Sequence, residues 1–147
     1  MEFKELIADF AARHNVENLV AEDDVVALDI DNIIVTIVAN DDAIALSAEI
    51  GEPPVEGRAD FADVLLEASL ESEFFFAKNR ESGKYVAVRR LALATLDAKG
   101  FDAVLEGIVN VVETWRQMLA DFRPAAKAAE AEATEAAVFG NEGFMQV

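Results

Sequence analysis

The sequence predicts an α+β domain, an antiparallel twisted sheet with helices packed on it, in the order helix, three strands, helix, two strands, helix. Three observations predict it. Near both ends, apolar residues recur every three or four positions, the period of a helix, while the middle holds short runs rich in β-branched residues. Those runs are broken by Asp, Asn and Gly clusters that suit tight reversals, so successive strands pair antiparallel. The chain has 147 residues, 53% hydrophobic and 28% charged, enough for one core and one folded domain.

The first helix spans residues 2–15, where Phe3, Leu6, Ile7, Phe10 and Ala11 form one stripe. After the acidic turn Glu22-Asp23-Asp24 come three strands, at 25–30, 33–38 and 43–50. The breaks between them, Asp31-Asn32 and Asn40-Asp41-Asp42, tolerate left-handed backbone, so the three strands form a meander. Gly51-Glu52-Pro53-Pro54 stops the sheet, because proline donates no ladder hydrogen bond. Asp60 is the expected N-cap of a second helix at 61–70, with Phe61, Val64, Leu65 and Ala68 on one face. Strands at 73–78 and 84–95 follow, joined by the loop Asn79-Arg80-Glu81-Ser82-Gly83. Asp97 or the residues after it open the last helix, whose stripe of Phe101, Val104, Leu105, Ile108, Val111, Val112, Trp115, Leu119 and Phe122 is wide. Pro124 ends or kinks that helix. Residues 125–137 are rich in Ala and Glu with almost nothing large to bury, and 138–147, with Phe139, Phe144, Met145 and Val147, are too short to fold alone, so the expected organisation is a domain at 1–123 and an Ala/Glu-rich tail at 124–147 that is mobile or used in contacts between molecules.

Charge and composition exclude several functions. Twelve Lys and Arg against 29 Asp and Glu give a net charge of −17, which repels phosphate backbones and anionic headgroups, so no nucleic-acid partner is expected. The absence of Cys removes disulfides, thiolate metal sites and cysteine nucleophiles, and is compatible with a reducing cytoplasm. The first ten residues have neither the basic start nor the unbroken apolar run of a signal peptide. The longest apolar run, 33–39 with Thr36 allowed, is far short of the roughly 20 residues that span a bilayer, so no membrane insertion is expected.

The strands carry more apolar surface than one covered face needs. In the strand at 33–38, Ile33, Val35 and Ile37 take one face while Ile34, Thr36 and Val38 take the other; Phe74 and Phe76 likewise oppose Phe75. Both faces want cover, and three helices do not easily hide both sides of five strands. Either both faces are packed inside one subunit, or apolar area is left for a second subunit or a client peptide.

Several stretches, taken in order, resemble the class I chaperones of type III secretion systems, the Tir-chaperone family. They are Leu28-Asp29-Ile30-Asp31, the run from Ala45 into Gly51-Glu52-Pro53-Pro54, Leu65-Leu66-Glu67-Ala68-Ser69-Leu70, and Leu93, Leu96, Asp97, Phe101 and Leu105 with Glu113-Thr114-Trp115-Arg116. The resemblance covers about residues 2–122. The sequence departs from the family at Ser69, where an Asn is usual, at Arg89 and Arg90 inside a strand, and in the extension from Pro124.

The resemblance implies a secretion-chaperone-like fold and a homodimeric, cytoplasmic, ATP-independent chaperone. Such a protein holds the N-terminal segment of a secreted effector in extended form and keeps it soluble and secretion-competent. It further implies a dimer interface drawn from Phe61, Leu65, Phe74, Phe75 and Phe76, and a client patch drawn from Leu6, Phe10, Ile34, Val35 and Ile37. The alternative is a stand-alone domain of the same fold that binds a small apolar ligand or regulates a protein partner.

Catalytic readings are weaker. His14, the only histidine, falls near the end of the first helix, where a cation favours the macrodipole. Asp29 and Asp31 alternate as a carboxylate pair but flank a turn, and Asp23-Asp24 and Asp41-Asp42 read as solvated turn charges. Trp115 reads as core. Arg89 and Arg90 point to opposite faces, so one is expected to pair with an acid or sit at a rim. No phosphate loop is present, and neither a catalytic residue, a metal nor a cofactor is expected.

Overall fold

The computed structural model of the chain describes residues 2–16 and 18–123. Its helices are α1 (Phe3–His14), α2 (Arg58–Glu71) and α3 (Ala98–Asp121). Its strands are β1 (Leu19–Glu22), β2 (Val25–Ile30), β3 (Ile33–Asn40), β4 (Ala43–Gly51), β5 (Phe75–Lys78) and β6 (Tyr85–Ala92). They form one antiparallel sheet in the order β1-β2-β3-β4-β6-β5.

The turns follow the expected chemistry. Asp31 and Asn32 both take positive φ, 52° and 66°, the pair of left-handed residues that matches a two-residue hairpin to the twist of its strands. Asp23 and Asp41 do the same singly. In the β5–β6 loop the Asn79 side chain accepts from the amides of Glu81 and Ser82, which fixes the turn locally.

Three differences from the sequence reading have physical reasons. β1 is an additional strand: four residues with no clear alternation give little periodic signal, and its register with β2, Leu19 opposite Leu28, forms it. α2 begins three residues before Phe61, on Gly57 in left-handed backbone (φ 73°), so Asp60 lies in the first turn instead of capping it. The last strand ends at Ala92, and Leu93–Thr95 turns as a short 3-10 helix in which the Thr95 hydroxyl donates to the Ala92 carbonyl at 2.7 Å. α3 opens on Asp97, as the sequence indicates, and its carboxylate accepts from the Gly100 amide at 2.7 Å. The expected tail, and with it the domain boundary at 123, lies outside the described residues.

One side of the sheet carries the core. α3 crosses β3, β4 and β6, and α1 packs against α3. Phe10 of α1 meets Phe101 of α3 edge to face, 5.7 Å between centroids. Leu28, Val35, Ile37 and Leu46 lie fully buried beneath these helices, and α2 adds Phe61 and Leu65 beside β5. Buried side chains of all three helices and of this one side of the strands form a single cluster.

Candidate functional site

Among the described residues no helix covers the other side of the sheet. Alternation puts Val25, Ala27, Ile34, Thr36, Val38, Ala45, Ser47, Val86, Val88 and Phe75 on it, and the registers set them side by side. Val25 faces Val38, Ala27 faces Thr36, Thr36 faces Ser47, and Val88 stands between Ser47 and Phe75. Ile34 is 60% exposed, and Val25, Val38 and Phe75 are exposed as well. This is a largely apolar face crossing five strands, with Thr36 and Ser47 side by side at its middle. Carboxylates frame it at Asp29 and Glu49, while Arg90 lies over the Phe75 ring, 5.4 Å from its centroid. Ile34 lines two open grooves at opposite borders of the strip, of about 300 and 330 Å³.

The residues expected to carry function divide sharply by face. Of the client patch, Ile34 alone presents surface; Leu6, Phe10, Val35 and Ile37 are spent on the protomer's own core. Of the dimer set, Phe75 is at the surface, whereas Phe61, Leu65, Phe74 and Phe76 are buried within the protomer. Both outcomes come from period 2 and period 3.6 patterning: the residues with the strongest apolar signal are those that α1, α2 and α3 themselves bury. Phe61 stacks on Tyr85 at 5.6 Å, and Phe76 packs on Trp115 at 5.1 Å.

The structure adds residues that the sequence reading did not single out. On α2, Leu66 and Leu70 are 62% and 88% exposed and stand four apart, on a stripe beside that of the buried Phe61 and Leu65. Their spacing was the available signal, masked by the stronger stripe beside it. On β1, the edge strand of the sheet among the described residues, Val20 is exposed. Ser69, where an Asn was expected, donates to the Leu65 carbonyl at 3.0 Å and accepts the Phe76 amide at 3.2 Å, tying α2 to edge strand β5.

The titratable groups serve structure. Arg13 on α1 reaches Asp102 on α3, with Nη2 to Oδ1 at 2.8 Å, and its Nε donates to Asp9 at 2.7 Å. This fork holds the Asp102 carboxyl below its ordinary range and drives the Arg13 guanidinium up. His14 stands 3.3 Å from the same carboxylate and lies against the Phe10 ring. Burial pushes the Tyr85 hydroxyl up. Arg89 pairs with Glu73 at 3.3 Å and lies over Phe74, as expected of one of the two arginines. Asp31 sits in the β2–β3 turn. Among the described residues no group of three or more His, Asp or Glu is arranged to hold a metal ion, and no helix is long and apolar enough to cross a membrane.

Solved structures share this architecture. A chain of the ExsC–ExsE complex superposes with a TM-score of 0.70 at 20% identity, covering 86% of this chain and 99% of that one. A chain of the HopA1–SchA chaperone–effector complex gives 0.65 at 18%, covering 78% and 93%. The complex of the Yersinia pestis type III secretion chaperone SycH with a stable fragment of YscM2 gives 0.62 at 17%, covering 78% and 99%. At these identities the likeness is one of fold. No curated protein sequence matches the chain. The model of the Tir chaperone protein (CesT) family matches residues 5–116, about three quarters of the sequence, and the chain belongs to that family.

Proposed function

We propose that this protein is an ATP-independent chaperone that binds the N-terminal segment of a type III secreted effector in extended form and keeps it soluble and secretion-competent. The observation that carries the reading is the bare apolar face of the sheet, centred on Ile34 and Val38. Family membership and the chaperone–effector complexes among solved structures of the same fold support it. An extended client suits such a face because main-chain hydrogen bonds along a strand edge supply affinity and alternate side chains enter shallow pockets. Ordering a flexible segment costs about 2 to 5 kcal/mol, so the wrapped area must be large, as a strip across five strands allows. The net charge of −17 keeps an apolar-faced protein soluble and speeds encounter with basic segments.

The protein works as a homodimer in this reading, in the cytoplasm and without catalysis. Leu66 and Leu70 supply the subunit contact, in place of the buried members of the expected set, while Phe75, the exposed member of that set, closes the strip at its β5 end. A small apolar ligand would want an enclosed cavity, whereas the grooves on the strip are open ones.

Co-expression with N-terminal segments of secreted proteins encoded beside it tests the function. The expected result is a soluble complex of two chaperone chains and one segment, with the segment still sensitive to protease at its free end. Segments that stay insoluble beside abundant folded chaperone would contradict it.

A further inference from the structure

A second groove lies away from the outer sheet face, between α2 and β5. It holds about 320 Å³, walled by Leu65, Leu66, Phe76, Ala77 and Tyr85, and among the described residues its charged side chains are Arg58 and Lys78, with no carboxylate. In a chain of net charge −17 that is a local reversal of sign. The β5–β6 hairpin extends it, since residues 75–92 hold Lys78, Arg80, Lys84, Arg89 and Arg90 against Glu81 alone. Lys78, Arg80 and Lys84 form no ion pair among the described residues.

The chain leaves the domain beside this groove. Phe122, which closes α3, packs its ring 5.0 Å from Phe61; Phe61 stacks on Tyr85, and Tyr85 lines the groove. The 24 residues after Arg123 carry Glu130, Glu132, Glu135 and Glu142 against Lys127, followed or flanked by Val138, Phe139, Phe144 and Met145. Their charge and apolar content complement a groove with cationic rims and greasy walls. Reach is ample, because the 15 residues from Pro124 to Val138 span up to about 50 Å when extended.

We infer that residues 130–147 dock in the α2–β5 groove of their own chain, with Phe139 or Phe144 between Leu65, Leu66 and Phe76 and the glutamates facing Lys78, Arg58 and the hairpin cations. Leu66 belongs both to this groove and to the stripe assigned above to the second subunit. Tail docking and subunit contact therefore compete, and the tail governs how readily the protein dimerises. The docking itself does not depend on the client reading.

Hydrogen exchange on the full-length protein, at two concentrations tenfold apart, tests the inference together with the emission of Trp115, the only tryptophan, which packs on Phe76 and Phe61. Phe139→Ala with Phe144→Ala should speed exchange in α2 and β5 tenfold or more and shift Trp115 emission at the lower concentration. Lys78→Glu should reproduce part of that effect and add little in the tail variant. Equal exchange in wild type and tail variant would overturn the inference. So would protection that follows concentration and ignores the tail sequence, which assigns the groove to a second copy. Client binding at the Ile34 face is measured separately, so loss of one result leaves the other standing.

Discussion

Ser69 joins two elements through one hydroxyl, donating to Leu65 in its own helix and accepting from Phe76 in the edge strand. Ser69→Ala leaves the Phe76 amide unsatisfied in a partly buried place and should cost about 1 to 2 kcal/mol in urea unfolding, without loss of helix content. This role was not legible in the sequence, where Ser69 reads only as a departure from a family pattern; nothing local says that a strand seven residues on supplies the donor. Asp102 belongs to the same class of long-range partnership, 89 residues from Arg13. Its carboxyl is held low in the folded state chiefly by the Arg13 hydrogen bonds. That contribution is complete above the unfolded carboxylate pKa of about 3.9 and is lost as pH falls through the lower folded value. Asp102→Asn should therefore flatten the acid side of the stability–pH curve below about pH 4, measured by thermal melts. The turn residues, by contrast, were readable: Asp31 and Asn32 adopt left-handed backbone because their short side chains tolerate it.

At the scale of elements, α3 organises the domain, and its stripe was plain because a wide apolar face repeats over many turns. Phe101 is fully buried against Phe10, so Phe101→Ala should cost about 3 to 5 kcal/mol and loosen α1 along with α3. β1 was not legible, since four residues gain their strand character from pairing with β2 and not from their own pattern. α2 shows why surface function hides in a sequence. Its Phe61 and Leu65 advertise a face that goes inward, while Leu66 and Leu70 stand out only once that face is placed. Leu66→Glu with Leu70→Glu should keep the native circular dichroism, remove the dependence of the melting temperature on concentration, and yield a monomer at micromolar concentration by light scattering. A dimer that survives the pair of charges would move the subunit contact elsewhere.

For the molecule as a whole, an excess of apolar strand surface was legible in the alternation of β3, and the helices settle which half of it they take. They seal Ile33, Val35 and Ile37 and leave Ile34 and Val38 to the outside. Which face the helices would choose was beyond the sequence, because both faces of β3 are apolar and the choice is made by neighbours distant in the chain. The acidic surface makes the resulting open strip tolerable in solution and draws basic segments to it, an effect that should weaken as salt shortens the Debye length below about 8 Å. The most direct test is calorimetry of an effector's N-terminal segment against wild type and against Ile34→Glu with Val38→Glu. Wild type should bind with a negative heat-capacity change and the variant at least tenfold more weakly, about 1.4 kcal/mol, at unchanged melting temperature. Equal affinity for both proteins would contradict it.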